Sequence, residues 1–309
     1  MTTLFITHGD CLAHDTGAYH PERPDRLRSV LKAMEQDAFR GLIREDAPYA
    51  TLEAMARAHA GDFVPRILDA IPDHALRQID ADTVISPGSG EAMRRAAGAV
   101  VRAVDAVAKG EADNAFCAVR PPGHHAESTR AMGFCLVNNA VVGARHARAA
   151  HGYQRVAVVD FDVHHGNGTQ EMFWDDADAF YASTHQYPFY PGTGGVREQG
   201  AHGNIVNVPL AAGSGSDIFR SRFADEILPA LEAFEPALLI ISAGFDAHKD
   251  DPLGELRLTE TDFAWATAKL MDAARKVCGG RVVSVLEGGY NLDALADSVT
   301  AHVQTLKDH

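Results

Sequence analysis

The run Val158-Val159-Asp160-Phe161-Asp162-Val163-His164-His165-Gly166-Asn167-Gly168 takes an apolar stretch into a loop crowded with side chains that bind cations. If the chain stays extended here, alternation puts Asp160, Asp162 and His164 on one side. Two carboxylates and an imidazole at a strand end suit a cation, and a mixed oxygen and nitrogen set favours zinc or a similar divalent ion. One such residue alone is more often a hydrogen-bonded loop group; a cluster this dense reverses the balance. A second apolar run, Leu238 to Ser242, ends in Ala243-Gly244-Phe245-Asp246-Ala247-His248, which offers Asp246 as a third ligand. Two Asp and one His leave a position open for water, the arrangement of a catalytic rather than a structural zinc. His248, Asp250 and Asp251 compete for that role, with a solvated loop as the simpler reading for them.

Two further segments carry proton chemistry. Arg120-Pro121-Pro122-Gly123-His124-His125-Ala126 fixes a loop that presents adjacent histidines. A neutral imidazole can take a proton from an attacking water and later deliver it to a departing amine. Leu286-Glu287-Gly288-Gly289-Tyr290-Asn291-Leu292 turns sharply and presents Tyr290, whose phenol can donate to a developing oxyanion. Read singly, the histidines are an exposed dipeptide and Tyr290 a packed aromatic.

These motifs need elements to carry them. Strand-type apolar runs occur at Leu4 to Ile6, Ala115 to Val119, Arg155 to Asp160, Ala179 to Ser183, Ile205 to Val208, Ala237 to Ser242 and Arg281 to Leu286. Between them, apolar residues recurring at three and four predict helices over Arg26 to Phe39, Glu91 to Lys109, Asn138 to His151, Asp217 to Phe234, Glu260 to Val277 and Leu292 to Leu306. Val156 to Val159, Leu238 to Ile241 and Val282 to Val285 lack polar alternation, as strands buried on both faces of a parallel sheet do. The expectation is therefore an α/β fold, three layers αβα around a central parallel sheet. With no repeat, low-complexity tract or linker, residues 1–309 read as a single domain. The long segments Pro121 to Leu136 and Gln186 to Asn204 suggest functional loops.

The formal charge of −14 argues against a nucleic-acid partner held through phosphates. The N-terminus lacks the basic region of a signal peptide, and no stretch approaches the roughly 18 apolar residues of a membrane span. These features predict a cytoplasmic protein that engages no membrane. The four cysteines, Cys11, Cys117, Cys135 and Cys278, form no C-x-x-C pair and read as small buried hydrophobes. No pattern marks an oligomer surface.

Together the motifs resemble the histone deacetylase superfamily, and Glu287-Gly288-Gly289-Tyr290 with His20-Pro21-Glu22-Arg23-Pro24 resembles its class II branch and bacterial relatives, the histone deacetylase-like amidohydrolases. The resemblance runs from about Thr7 to Leu295 and also takes in Gly133-Phe134-Cys135 and Phe189-Tyr190-Pro191-Gly192-Thr193-Gly194. It implies an arginase/deacetylase-like fold, a catalytic Zn2+ held by Asp162, His164 and Asp246, and His125 as general base and acid with His124 beside it. It implies that zinc and Tyr290 polarise the acetyl carbonyl, and that Phe134 and Tyr190 wall the substrate stem where Gly133 and Gly289 permit close approach. It further implies a structural K+ near the side chains of Asp160, Asp162 and Ser183 and the carbonyls of Asp162, His164 and Thr184, with Asp160 orienting His124. Asn167 stands where class I enzymes carry Asp, so a neutral partner should leave His125 less basic.

Three functions follow as expectations: a deacetylase of acetyl-lysine peptides, an amidohydrolase of small acetylated amines such as acetylpolyamines, or a non-catalytic acyl-lysine binder. The full set of inferred catalytic residues disfavours the third. Polyamine-selective relatives can carry a carboxylate where this chain has Leu253, which shifts weight towards acyl-lysine. Asp10, Asp15, Glu22 and Asp251 are the acidic residues that would otherwise supply charge at the rim.

Overall fold

Apolar runs without polar alternation make the inner strands, and the computed structural model, which describes residues 1–309, arranges them in one parallel sheet. The chain begins with β1 (Thr3–Thr7), α1 (Pro24–Ala33), β2 (Ile43–Asp46), α2 (Leu52–Ala56) and α3 (Phe63–Asp69). The pair β3 (Arg77–Gln78) and β4 (Val84–Ile85) follows, then α4 (Ser89–Ala108), β5 (Asn114–Cys117), α5 (Asn139–His151), β6 (Val156–Asp160) and α6 (Asn167–Phe173). The remainder is β7 (Ala179–Gln186), β8 (Ile205–Leu210), α7 (Ser216–Arg222), α8 (Leu228–Phe234), β9 (Leu238–Ala243), α9 (Glu260–Cys278), β10 (Val282–Leu286) and α10 (Leu292–Asp308).

The eight-stranded sheet has the order β2-β1-β5-β10-β9-β6-β7-β8, with every neighbouring pair parallel. Helices α4, α5 and α6 cover one face, and α1, α8, α9 and α10 the other, so β5, β10, β9 and β6 are buried along their whole length. All strands run the same way, and their C-terminal ends share one edge. The four loops that carry the motifs leave that edge from β5, β10, β9 and β6, which are adjacent. Open α/β sheets bind their ligands at this edge.

Departures from the sequence expectation have local causes. The helix expected over Asp217 to Phe234 is α7 and α8 joined by a π-helical turn at Phe223–Ile227; Pro229, with no N–H to donate, sits where the regular ladder would continue. The helix expected over Arg26 to Phe39 stops at Ala33, and Asp37–Phe39 forms a separate 3-10 turn. The edge strand β2 has no buried residue, so no apolar run announces it. At the other edge, β8 carries Pro209, which an edge tolerates. All four cysteines are free and buried, and no helix is long and apolar enough to cross a membrane.

His302 ties α10 to its neighbours: Nδ1 lies 2.6 Å from Thr267 Oγ1 and Nε2 lies 2.8 Å from Ser284 Oγ. Burial lowers its pKa from 6.5 to about 3. The folded protein thus holds His302 neutral where the unfolded chain would protonate it. Its contribution to stability is complete above pH 6.5 and is lost as pH falls towards 3. Relative to wild type, His302→Gln should gain on the order of 2 kcal/mol between pH 6.5 and pH 5 in urea denaturation. A stability difference that does not change with pH would contradict this.

Candidate active site

β6 ends at Asp160 and the chain bends at once, so the extended segment expected as far as His164 does not form. The bend is held by the acidic residues themselves. The Asp162 N–H donates to Asp160 Oδ1 at 3.1 Å, and the His164 N–H donates to Asp162 Oδ1 at 2.9 Å. These local turns, rather than the pleat, bring Asp162 and His164 together. Asp246 follows β9, and its Oδ1 accepts from the Val163 N–H at 2.8 Å. His164 Nδ1 then lies 3.2 Å from Asp162 Oδ1 and 3.0 Å from Asp246 Oδ2. The three residues are buried and offer ligand atoms all within 4.8 Å of one another.

The donor set fits zinc. Burial and the neighbouring charge of Asp162 push the Asp246 carboxyl up to about 7. Although burial opposes charge on His164, Asp162 and Asp246 raise its pKa to about 10. The pocket thus attracts positive charge to the point between the two carboxylates. Two glycines make room for them: a Cβ on Gly244 would collide with the Asp162 carboxylate, and one on Gly288 with those of both Asp162 and Asp246. Gly288 also donates its N–H to Asp162 Oδ2 at 2.8 Å.

The loop after β5 sets His124 and His125 beside this centre, their rings 4.0 Å apart. His124 Nδ1 lies 2.9 Å from Asp160 Oδ2, which also accepts from Tyr181 Oη at 3.1 Å. Burial disfavours charge on His124, but Asp162 and Asp160 outweigh it and hold its pKa well above the usual range. His125 is the reverse: burial, then the charges of His124 and His164, push it well below. Its Nδ1 lies 2.8 Å from Asn167 Oδ1, while Asn167 Nδ2 donates to Glu127 Oε1 at 2.7 Å. Glu127 therefore fixes the Asn167 amide with its oxygen towards the ring. That oxygen requires a proton on His125 Nδ1 and leaves Nε2 bare.

Tyr290 is held by its backbone, whose N–H donates to Asp251 Oδ2 at 2.7 Å. Its ring lies 5.8 Å from that of Phe134 and 4.8 Å from the Arg26 guanidinium. Burial keeps its pKa well above the ordinary phenol value, so its hydroxyl remains a donor. A cavity of about 360 Å³ opens above the centre, lined by His125, His164 and Tyr290 at its chemical end and by Gly133, Phe134, Tyr190 and Leu253 along its walls. Gly133 also admits the His125 ring, which a Cβ there would strike. Gly289 does not line the cavity; its φ of 123° serves the turn into Tyr290. Ser183 pairs with Asp160 across β6 and β7, and Thr184 beside it is buried with an unpartnered hydroxyl.

Several residues at the site take parts that the motifs alone do not assign. Phe189 stacks on His164, with centroids 5.4 Å apart and planes at 18°. Glu287 accepts from the Gly123 N–H at 2.6 Å, the His124 N–H at 3.1 Å and Ser242 Oγ at 3.1 Å, and so ties the histidine loop to β9 and β10. Its signal is a carboxylate directly ending the apolar run of β10. Asp82 and Glu255 line the cavity and are its only carboxylates. The acidic residues named for the rim do not line the cavity. Glu22 is fully buried between Arg26 and Arg120, Asp251 braces Tyr290, Asp10 pairs with Arg95, and Asp15 caps Gly17.

Because Gly244 and Gly288 make room for the carboxylates, Gly244→Ala should weaken zinc binding about 10–100-fold, measured by competition with a chromophoric chelator. Unchanged affinity would show that the carboxylates do not hold the ion.

Comparison with known proteins places this geometry. Residues 20–306 match the histone deacetylase domain family. The chain is 41% identical to the histone deacetylase-like amidohydrolase of Pseudomonas aeruginosa, over 93% of this chain and 77% of that protein. It is 35% identical to type-2 histone deacetylase 2 of Dictyostelium discoideum over 98% of its own length, but spans only 21% of that larger protein. A solved structure of the HDA15 HD domain superposes with a TM-score of 0.94 at 37% identity, covering 100% of this chain and 88% of that one. The sheet and its flanking helices are thus the arginase/deacetylase fold, and the chain belongs to the histone deacetylase family.

Proposed function

We propose that this protein is a zinc-dependent deacetylase that hydrolyses the amide of an acetylated lysine side chain or a related acetylated amine. The observation that carries the reading is one cavity that ends on a bare imidazole nitrogen of His125, the Tyr290 phenol and His164, the member of the Asp162, His164 and Asp246 cluster that faces it. Bound zinc would supply a Lewis acid for the acetyl carbonyl and for water. His125 Nε2, free because Nδ1–H is committed to Asn167, takes a proton from the attacking water. The Tyr290 hydroxyl donates to the carbonyl oxygen as negative charge gathers there, and positive charge on His124, held by Asp160, favours the same change. His125 then returns the proton to the departing nitrogen, the C–N bond breaks, and acetate and amine leave. Phe134, Tyr190 and Phe189 suit an aliphatic stem, whose burial is favourable by about 0.8 kcal/mol per methylene. The side chains of Asp160, Asp162 and Ser183, with the carbonyls of Asp162, His164 and Thr184, would hold a structural potassium ion that steadies the same turn; Ser183 stands beside Asp160 in the register of β6 and β7.

A second reading rests on Asp82 and Glu255. Leu253 offers no charge to a distant ammonium group, yet these two carboxylates in the cavity lining do. That supports a small acetylated amine, such as an acetylpolyamine, as an alternative substrate.

Acetate release by the zinc-loaded enzyme tests both readings. An acetyl-lysine peptide should be cleaved, and His125→Ala and Tyr290→Phe should each lower kcat about 10²–10⁴-fold. Failure to cleave peptide or acetylated polyamine, or full activity in both variants, would overturn the proposal. If the amine reading holds, Glu255→Gln should raise KM for acetylpolyamine several-fold and leave peptide turnover unchanged.

A further inference from the structure

Away from the active site, a second set of metal-type donors joins two helices on one face of the sheet. Asp105 lies in the last turn of α4, while His146 and His151 lie in the C-terminal half of α5. Their Nε2 atoms are 2.8 Å and 2.7 Å from the same oxygen, Asp105 Oδ1. The rings stand 5.8 Å apart at 79°. The ligand atoms all lie within 4.8 Å of one another, the same span as in the Asp162, His164 and Asp246 cluster. Five residues apart on a helix is about 140° of rotation, so helical periodicity does not place these two histidines on one face. They converge because Asp105 packs between them. All three residues are half-buried, which leaves a side open for water to complete a coordination shell.

The chemistry narrows the ligand. One carboxylate with two imidazoles, near Lys109 and Arg57, lacks the several oxygen donors that calcium or magnesium require. Two nitrogens and one oxygen suit zinc or a neighbouring divalent transition metal. His146 Nδ1 lies 3.4 Å from Arg57 Nη1. A guanidinium only donates, so this nitrogen faces Arg57 as an acceptor. On metal binding the ring proton would move from Nε2 to Nδ1, and Arg57, already paired with Glu53 at 2.8 Å, would withdraw.

We propose that Asp105, His146 and His151 form a second divalent transition-metal site, with zinc as its natural test ion, that clips the end of α4 to the end of α5. The zinc-loaded protein, dialysed to equilibrium against micromolar zinc and assayed by elemental analysis, should hold one more ion per chain than the double variant His146→Gln, His151→Gln. That difference of one does not depend on the occupancy of the Asp162 centre, and deacetylation should be unchanged in the variant. Asp105→Asn keeps an acceptor for both rings and should also lose the additional ion. Arg57→Ala, which removes the competing cation, should bind it about tenfold more tightly. Equal zinc content in wild type and the Asp105→Asn protein, or no change in affinity with Arg57→Ala, would overturn the proposal.

Discussion

Two buried carboxylates forced against one imidazole are the constraint on which the rest of the site depends. Asp162 and Asp246 lose their hydration in the interior, and their mutual repulsion raises the carboxyl of Asp246. Such a pair is tolerable only if backbone donors satisfy it and positive charge lies between its members. The backbone supplies N–H groups from Val163, His164 and Gly288. Gly244 and Gly288 are there because no side chain fits against the carboxylates. The adjacency of β6, β9 and β10 brings these donors and glycines to one point.

Opposed polarisation of the two histidines follows from the same crowding. His124 faces Asp160 and Asp162 and is driven towards the charged form; His125 faces an amide and two other imidazoles and is driven towards the neutral one. Pairs of titratable groups with pKa values pushed apart are the physical basis for dividing acid and base work. In the proposed reaction that division would rest on residues behind the two rings. Glu127 sets the Asn167 amide, and Glu287 anchors the loop. Beneath Tyr290, Arg26 donates to the carbonyls of Gly289 and Glu287, each at 2.5 Å, while Glu22 balances Arg26 and Arg120.

Much of this is legible in the sequence, for a physical reason. Strands covered on both faces must be apolar throughout, so β5, β6, β9 and β10 stand out, and metal-capable residues directly after such runs mark the C-terminal edge of the sheet. The edge strand β2 escapes because an edge strand need not be apolar. Glu22 reads as rim charge because an acidic residue in sequence defaults to the surface; only folding shows the two arginines that make its burial possible. Asp82 and Glu255 look like ordinary loop residues until the chain brings segments 173 residues apart to one cavity. The turn after Asp160 defeats the alternation argument, yet the same residues converge, since their own carboxylates direct the bend.

The central claim is that one divalent ion organises this edge of the sheet. Diffraction from crystals of zinc-loaded protein, recorded on both sides of the zinc absorption edge, tests it most directly. An anomalous peak is expected about 2.0–2.2 Å from an Asp162 oxygen, His164 Nδ1 and an Asp246 oxygen. Full-occupancy zinc elsewhere, with these three side chains hydrogen-bonded only to one another, would contradict it.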